Sequence, residues 1–146
     1  MHPFLRSIVA IVSGLIVAFL VVTGAEGVNS QLFPIQAGVD MSDTTAMKQY
    51  VASLPVSGFI LVLAGWGGGA LLGGWAAARV VRRSPMAHAM IVAGLLLCGG
   101  VANMLMLPHP AWVWVVGLSL FLLGGYAGGR LAQRGLGAVG KESQFV

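Results

Sequence analysis

The chain has 146 residues, of which 58% are hydrophobic and only 8% charged, with a formal net charge of +4. A soluble domain carries about 25% charged residues, so this composition excludes a water-covered globular domain and fits a single integral membrane domain. The positive charge does not indicate nucleic acid as a partner. The basic residues sit at the ends of apolar stretches, with no interleaving of aromatic and basic residues.

Four uncharged stretches are long enough to cross a bilayer, which takes roughly 20 helical residues. The first runs from about Ser7 to Ala25. Arg6 before it and Thr23-Gly24-Ala25 at its end loosely imitate a cleavable leader, but the segment is read here as a retained span. Lipid offers no partner for free backbone groups, so each span must be helical.

An external loop is expected from Glu26 to Leu54. Its first half contains Pro34 and Gly38 and reads as irregular. Its second half reads as a short amphipathic helix that Ser42 or Asp43 can cap. Met47, Tyr50, Val51 and Leu54 then share one face. Such a helix would lie on the membrane surface or cap the bundle.

The second span is expected from Pro55 to Ala78. It holds a ladder of small residues at four-residue spacing, Gly65, Gly69 and Gly73, with Ala77 next. In water each glycine would weaken a helix by about 1 kcal/mol relative to Ala. In lipid such a row lets two backbones approach closely. The ladder therefore predicts a helix-packing face.

The third span is expected from Ala89 to Leu107 and the fourth from Ala111 to Gly129, joined by the stiff turn Leu107-Pro108-His109-Pro110. Trp112 and Trp114 open the fourth span and fit an aromatic belt at the interface. Trp66 and Trp75 face lipid or a helix. Cys98 reads as a small buried apolar residue. Residues 130–146 are expected to form a tail.

Arg6, Arg79, Arg82, Arg83, Arg130, Arg134 and Lys141 all fall on one side of a four-span chain, and Lys48 alone on the other. The excess of basic residues marks the cytoplasmic side, so both termini are expected there.

Spans two and four share the pattern G-[WY]-[GA]-G-G, at Gly65–Gly69 and Gly125–Gly129. The match suggests a parallel duplication of a helical hairpin; its alternative is chance similarity between glycine-rich helices. On the duplication reading, Gly65, Gly69 and Gly73 would pack against Gly124, Gly125, Gly128 and Gly129.

Intramembrane chemistry is sparse. No span carries Asp, Glu, Lys or Arg in its middle third, which argues against a proton relay within this chain. The candidate polar cluster is Glu26, Asn29, Asn103 and His109, brought to one level by the topology. Such a set could hold a cation, a lipid headgroup or a partner's polar group. Equally, Glu26 could simply end its span while Asn103 bonds a neighbouring helix. No metal-ligand spacing is present, and His2 and His88 lie across the membrane from His109. No nucleotide-binding, serine-hydrolase or zinc-protease signature appears. No cofactor or metal is expected, and the chain is read as a non-enzyme.

Taken together, Glu26, LFPIQAGVD, the loop helix ending ASLP, AGWGGGALLGG and NMLMLPHPAW resemble small bacterial four-span membrane proteins that have no known activity. In that group a His and an aromatic often accompany the acid and the proline; Asn29 and Phe33 stand near those places here. The resemblance implies the fold and a bacterial cytoplasmic-membrane location.

The expected fold is an all-α four-helix membrane bundle. The expected role is packing: an accessory, assembly or stabilising subunit of a larger membrane complex, or a homo-oligomer. The alternative is a small oligomeric channel or transporter with Glu26 at its external mouth.

Overall fold

The computed structural model describes residues 2–35, 40, 42–81 and 83–142, with side chains as far as Gly135. Gly38, Arg82 and the side chains of Lys141 and Glu142 therefore lie outside the described residues. The described residues form an all-α bundle of five helices: α1 (Pro3–Leu32), α2 (Thr44–Ser53), α3 (Val56–Val80), α4 (Pro85–Met106) and α5 (Ala111–Glu142). Four of them, all except α2, are long and apolar enough to cross a membrane. Large apolar side chains such as Phe4, Phe19, Val115 and Leu123 point outward, as an integral membrane protein requires.

Two expected boundaries are corrected. The first helix does not stop at Ala25 but runs on through Glu26 and Asn29 to Leu32. Its 30 residues give a rod of about 45 Å, longer than the hydrocarbon core of about 30 Å. The Phe33 N–H donates to the Asn29 carbonyl at 2.8 Å and closes the last turn. The fourth span likewise does not end at Gly129; its helix continues to Glu142, so most of the expected tail is helical.

The helices follow an up-down path in which α3 is central. Gly14 and Ala25 of α1, and Phe33 just beyond its end, meet Gly73, Gly65 and Gly58 of α3, so these two helices run antiparallel. Gly124 and Gly128 of α5 meet Gly67 and Leu71 of α3, so these two run parallel. Helix α4 fits between, against α3, α5 and, at Val92, Gly14 of α1.

The expected short helix is present as α2, and Asp43 rather than Ser42 caps it, its carboxylate accepting from the Thr45 N–H at 2.9 Å. Its apolar face joins the main core. Val51 is buried in one cluster with Phe59, Leu63, Trp66, Met104 and Val113, while Met47, Tyr50 and Leu54 pack against that cluster. Tyr50 donates its hydroxyl to the Phe33 carbonyl at 2.8 Å, tying α2 to the end of α1.

The opposite end is basic. There Arg6 Nε donates to the Val80 carbonyl at 2.7 Å, satisfying a free carbonyl at the C-terminus of α3. Arg79 lies over the Trp75 ring and Arg130 over the Tyr126 ring, at 5.4 and 5.9 Å. His2 is exposed and caps α1 with Nδ1, while His88 is half-buried with Nδ1 3.0 Å from the Ser84 carbonyl.

Candidate functional site: glycine seams and the α2 end

The Gly65, Gly69 and Gly73 ladder is buried against α1. A Cβ on Gly65 would meet the Ala25 methyl, one on Gly69 would meet Val22 and the Ala18 carbonyl, and one on Gly73 would meet the Gly14 carbonyl. The pairing of this ladder with span four, expected on the duplication reading, is corrected: its partner is span one. The signal for this lay in the first span itself. Ala10, Gly14 and Ala18 also recur every four residues, and all three are buried.

Helices α3 and α5 do pack closely, and Gly124 and Gly128 of span four do face α3, but not on the ladder. Gly124 faces the Gly67 carbonyl and the Ala70 methyl, and Gly128 faces the backbone of Leu71 and Trp75. Gly125 and Gly129 turn to α4 instead, towards Ala93, Ala89 and Met86. Each helix of the shared sequence pattern thus sets one glycine row on the first helix of its own hairpin. The levels differ: residues 14–25 of α1, but residues 86–93 of α4.

A second row of small residues points outward. Gly94, Cys98 and Ala102 follow one another at four-residue spacing on α4. A Cβ on Gly94 would meet nothing within 4 Å, and Cys98 and Ala102 are exposed. Cys98 is therefore not the buried apolar residue expected. Trp75 is also exposed, whereas Trp66 is buried.

The four polar candidates occupy four different settings. Glu26 is exposed on α1. Asn29, one turn later, is 6% exposed, and its Oδ1 has no hydrogen-bond partner among the described residues. Asn103 is exposed on the last turn of α4, its backbone carbonyl accepting from the Leu107 N–H at 3.0 Å. His109 is half-buried in the α4–α5 turn. Among the described residues no side-chain hydrogen bond joins any two of them, and no group of three His, Cys, Asp or Glu is placed to hold a metal ion.

His109 has the most developed surroundings of the four. Its ring meets Phe59 edge-on at 5.9 Å and Trp66 at 6.1 Å, and Trp66 in turn stacks on Phe121 at 5.3 Å. Its Nδ1 lies 3.0 Å from the Leu107 carbonyl. Prolines on both sides fix the turn that presents it. Cavities of about 350 and 330 Å³ flank the ring, one reaching Trp112 and the other Lys48 and Trp114. Lys48 entered the sequence reading only as the lone basic residue on its side and not as a site candidate, because only the docking of α2 brings it beside the turn.

No family model, curated protein or solved structure matches the chain.

Proposed function

We propose that this is a non-enzymatic membrane packing protein whose α4 docks a further transmembrane helix, from a larger complex or from a second copy. One observation carries the reading: the outward row Gly94, Cys98 and Ala102. The glycines of the inner seams are each met by a neighbouring helix, whereas among the described residues this row has no such neighbour. A small-residue row at four-residue spacing serves the close approach of a second backbone. Asn103 adds an exposed amide next to the row, and interhelical amide bonds help such helices associate. The absence of charged residues from the middle of the spans supports a packing role over transport or catalysis. On the basic-residue rule the basic end faces the cytoplasm, and the resemblance noted above supports a bacterial inner membrane.

Cys98 is the only cysteine in the chain and lies within the row, so it serves as a built-in probe. A short bis-thiol cross-linker applied to native membranes should capture Cys98 with a second copy or with a partner that carries a thiol. Native mass measurement in mild detergent should show the same species. Gly94→Leu should abolish it while leaving the monomer folded. A clean monomer by mass, with no Cys98 adduct in membranes, overturns the proposal.

A further inference from the structure

The cavity between α2 and the α4–α5 turn combines groups that no other part of the described protein brings together. Lys48 is the only Lys or Arg between Arg6 and Arg79, and it stands at the end opposite the basic cluster. The nearest acids in sequence are already engaged: Asp43 caps α2, and Asp40 accepts from the Ser42 N–H and hydroxyl. Lys48 and His109 line the same cavity of about 330 Å³, within the range of small-molecule sites. Trp114 shares it, as do Leu105 and Met106, which are 74% and 67% exposed on the last turn of α4.

The chemistry of these groups is specific. An ammonium on a flexible stem is a point-charge donor suited to a phosphate. The Leu107 carbonyl can only accept, so the His109 Nδ1 that bonds it carries the proton. In the neutral ring Nε2 is then an acceptor, which suits a hydroxyl donor better than a second anionic oxygen. Exposed apolar side chains beside these polar groups suit acyl chains, and an indole at the rim marks headgroup depth.

We propose that this cavity binds the headgroup of an anionic, hydroxylated phospholipid of the phosphatidylglycerol type, drawn from the leaflet at the α2 end. Lys48 holds the phosphate, His109 Nε2 accepts from a headgroup hydroxyl, and Leu105 and Met106 carry the chains. The site does not depend on the packing role proposed for α4.

The test is lipid binding by native mass spectrometry of the delipidated full chain, offered phosphatidylglycerol, phosphatidylethanol or phosphatidylcholine. Both lipids carry an anionic phosphodiester, but the choline ammonium of phosphatidylcholine repels Lys48 and offers no hydroxyl to His109, so phosphatidylglycerol should bind about tenfold or more tightly than phosphatidylcholine. Lys48→Gln should weaken phosphatidylglycerol binding and narrow that preference, and Lys48→Arg should keep both, each with unchanged thermal unfolding because Lys48 is exposed. Phosphatidylethanol, a diester of the same charge that lacks the headgroup hydroxyls, should bind more weakly than phosphatidylglycerol. His109→Phe, which keeps an aromatic ring against Phe59 and Trp66, should bring the two level. Equal binding of phosphatidylglycerol and phosphatidylcholine, or a preference that Lys48→Gln leaves unchanged, overturns the proposal. Phosphatidylethanol binding as tightly as phosphatidylglycerol to the unmodified protein overturns the role of His109. Inorganic phosphate that competes at the lipid's own affinity reassigns the site to a soluble anion.

Discussion

Gly14 of α1 and Gly73 of α3 cross backbone to backbone. The Gly14 carbonyl oxygen stands 2.6 Å from the place a Cβ on Gly73 would occupy, and the Gly73 carbonyl 2.7 Å from that of Gly14. Neither obstacle is a flexible side chain that could swing aside. The crossing therefore requires glycine on both helices.

Gly73→Ala should destabilise the protein by about 1–3 kcal/mol, the usual cost of overpacking. That exceeds the gain of about 1 kcal/mol in helix propensity. Gly94→Ala, with open space at its Cβ position, should leave the fold unchanged or slightly more stable. Denaturation in mixed micelles compares the two. Equal effects would show that the seam is looser than its geometry.

Asn29 presents the opposite problem, a polar atom with no partner. Leaving a buried acceptor unsatisfied costs about 1–3 kcal/mol. Replacing it with Leu should therefore leave stability unchanged or raise it by about 1 kcal/mol. A clear loss of stability would mean that Oδ1 bonds a water or a partner, and a hydrogen-bonded Asn29 would then be sought in the assembled complex.

Burial pushes the Tyr50 phenol above its ordinary value near 10. The phenol must also stay protonated to donate to the Phe33 carbonyl. With the folded value raised, this contribution to stability is complete below the unfolded pKa near 10. It is lost as pH rises through the folded value. In a Tyr126→Phe background, the tyrosinate absorbance of the folded protein should titrate above pH 10 and move down on unfolding. A midpoint at or below the unfolded one would contradict the assignment.

Asp43→Ala removes the side-chain cap of α2. Such caps contribute typically about 1 kcal/mol. The loss should appear as faster amide exchange confined to residues 45–53, with the four long helices unaffected. Faster exchange spread through α3 as well would show that α2 and the bundle unfold together.

Much of the fold was legible because lipid imposes simple rules. Long uncharged runs located the four spanning helices, and an acid before an amphipathic ten-residue segment located α2. Helix ends were less legible, since hydropathy marks where lipid stops rather than where a helix stops. Glu26, Ser30 and Gln31 look like a loop, yet Phe33 packed on Gly58 and bonded to Asn29 holds them helical. Arg130 and Arg134 end an apolar run without ending a helix. The ladder announced close packing but not its partner, because a row of glycines carries no address. Lys48 and His109 are 61 positions apart, and only the folding of α2 onto the core makes them neighbours.

The central position of α3 bears on how the chain is made. One face of α3 fits α1, which precedes it, so that hairpin can close while the rest is still being synthesised. The other face, with Gly67, Ala70 and Leu71, must wait for Gly124 and Gly128, more than fifty residues later. Through that interval a nascent chain exposes a small-residue surface already shaped for a helix. A chain stopped at Leu107 should therefore be captured in the membrane by an α5 peptide supplied in trans, and Gly124→Leu with Gly128→Leu in that peptide should prevent capture.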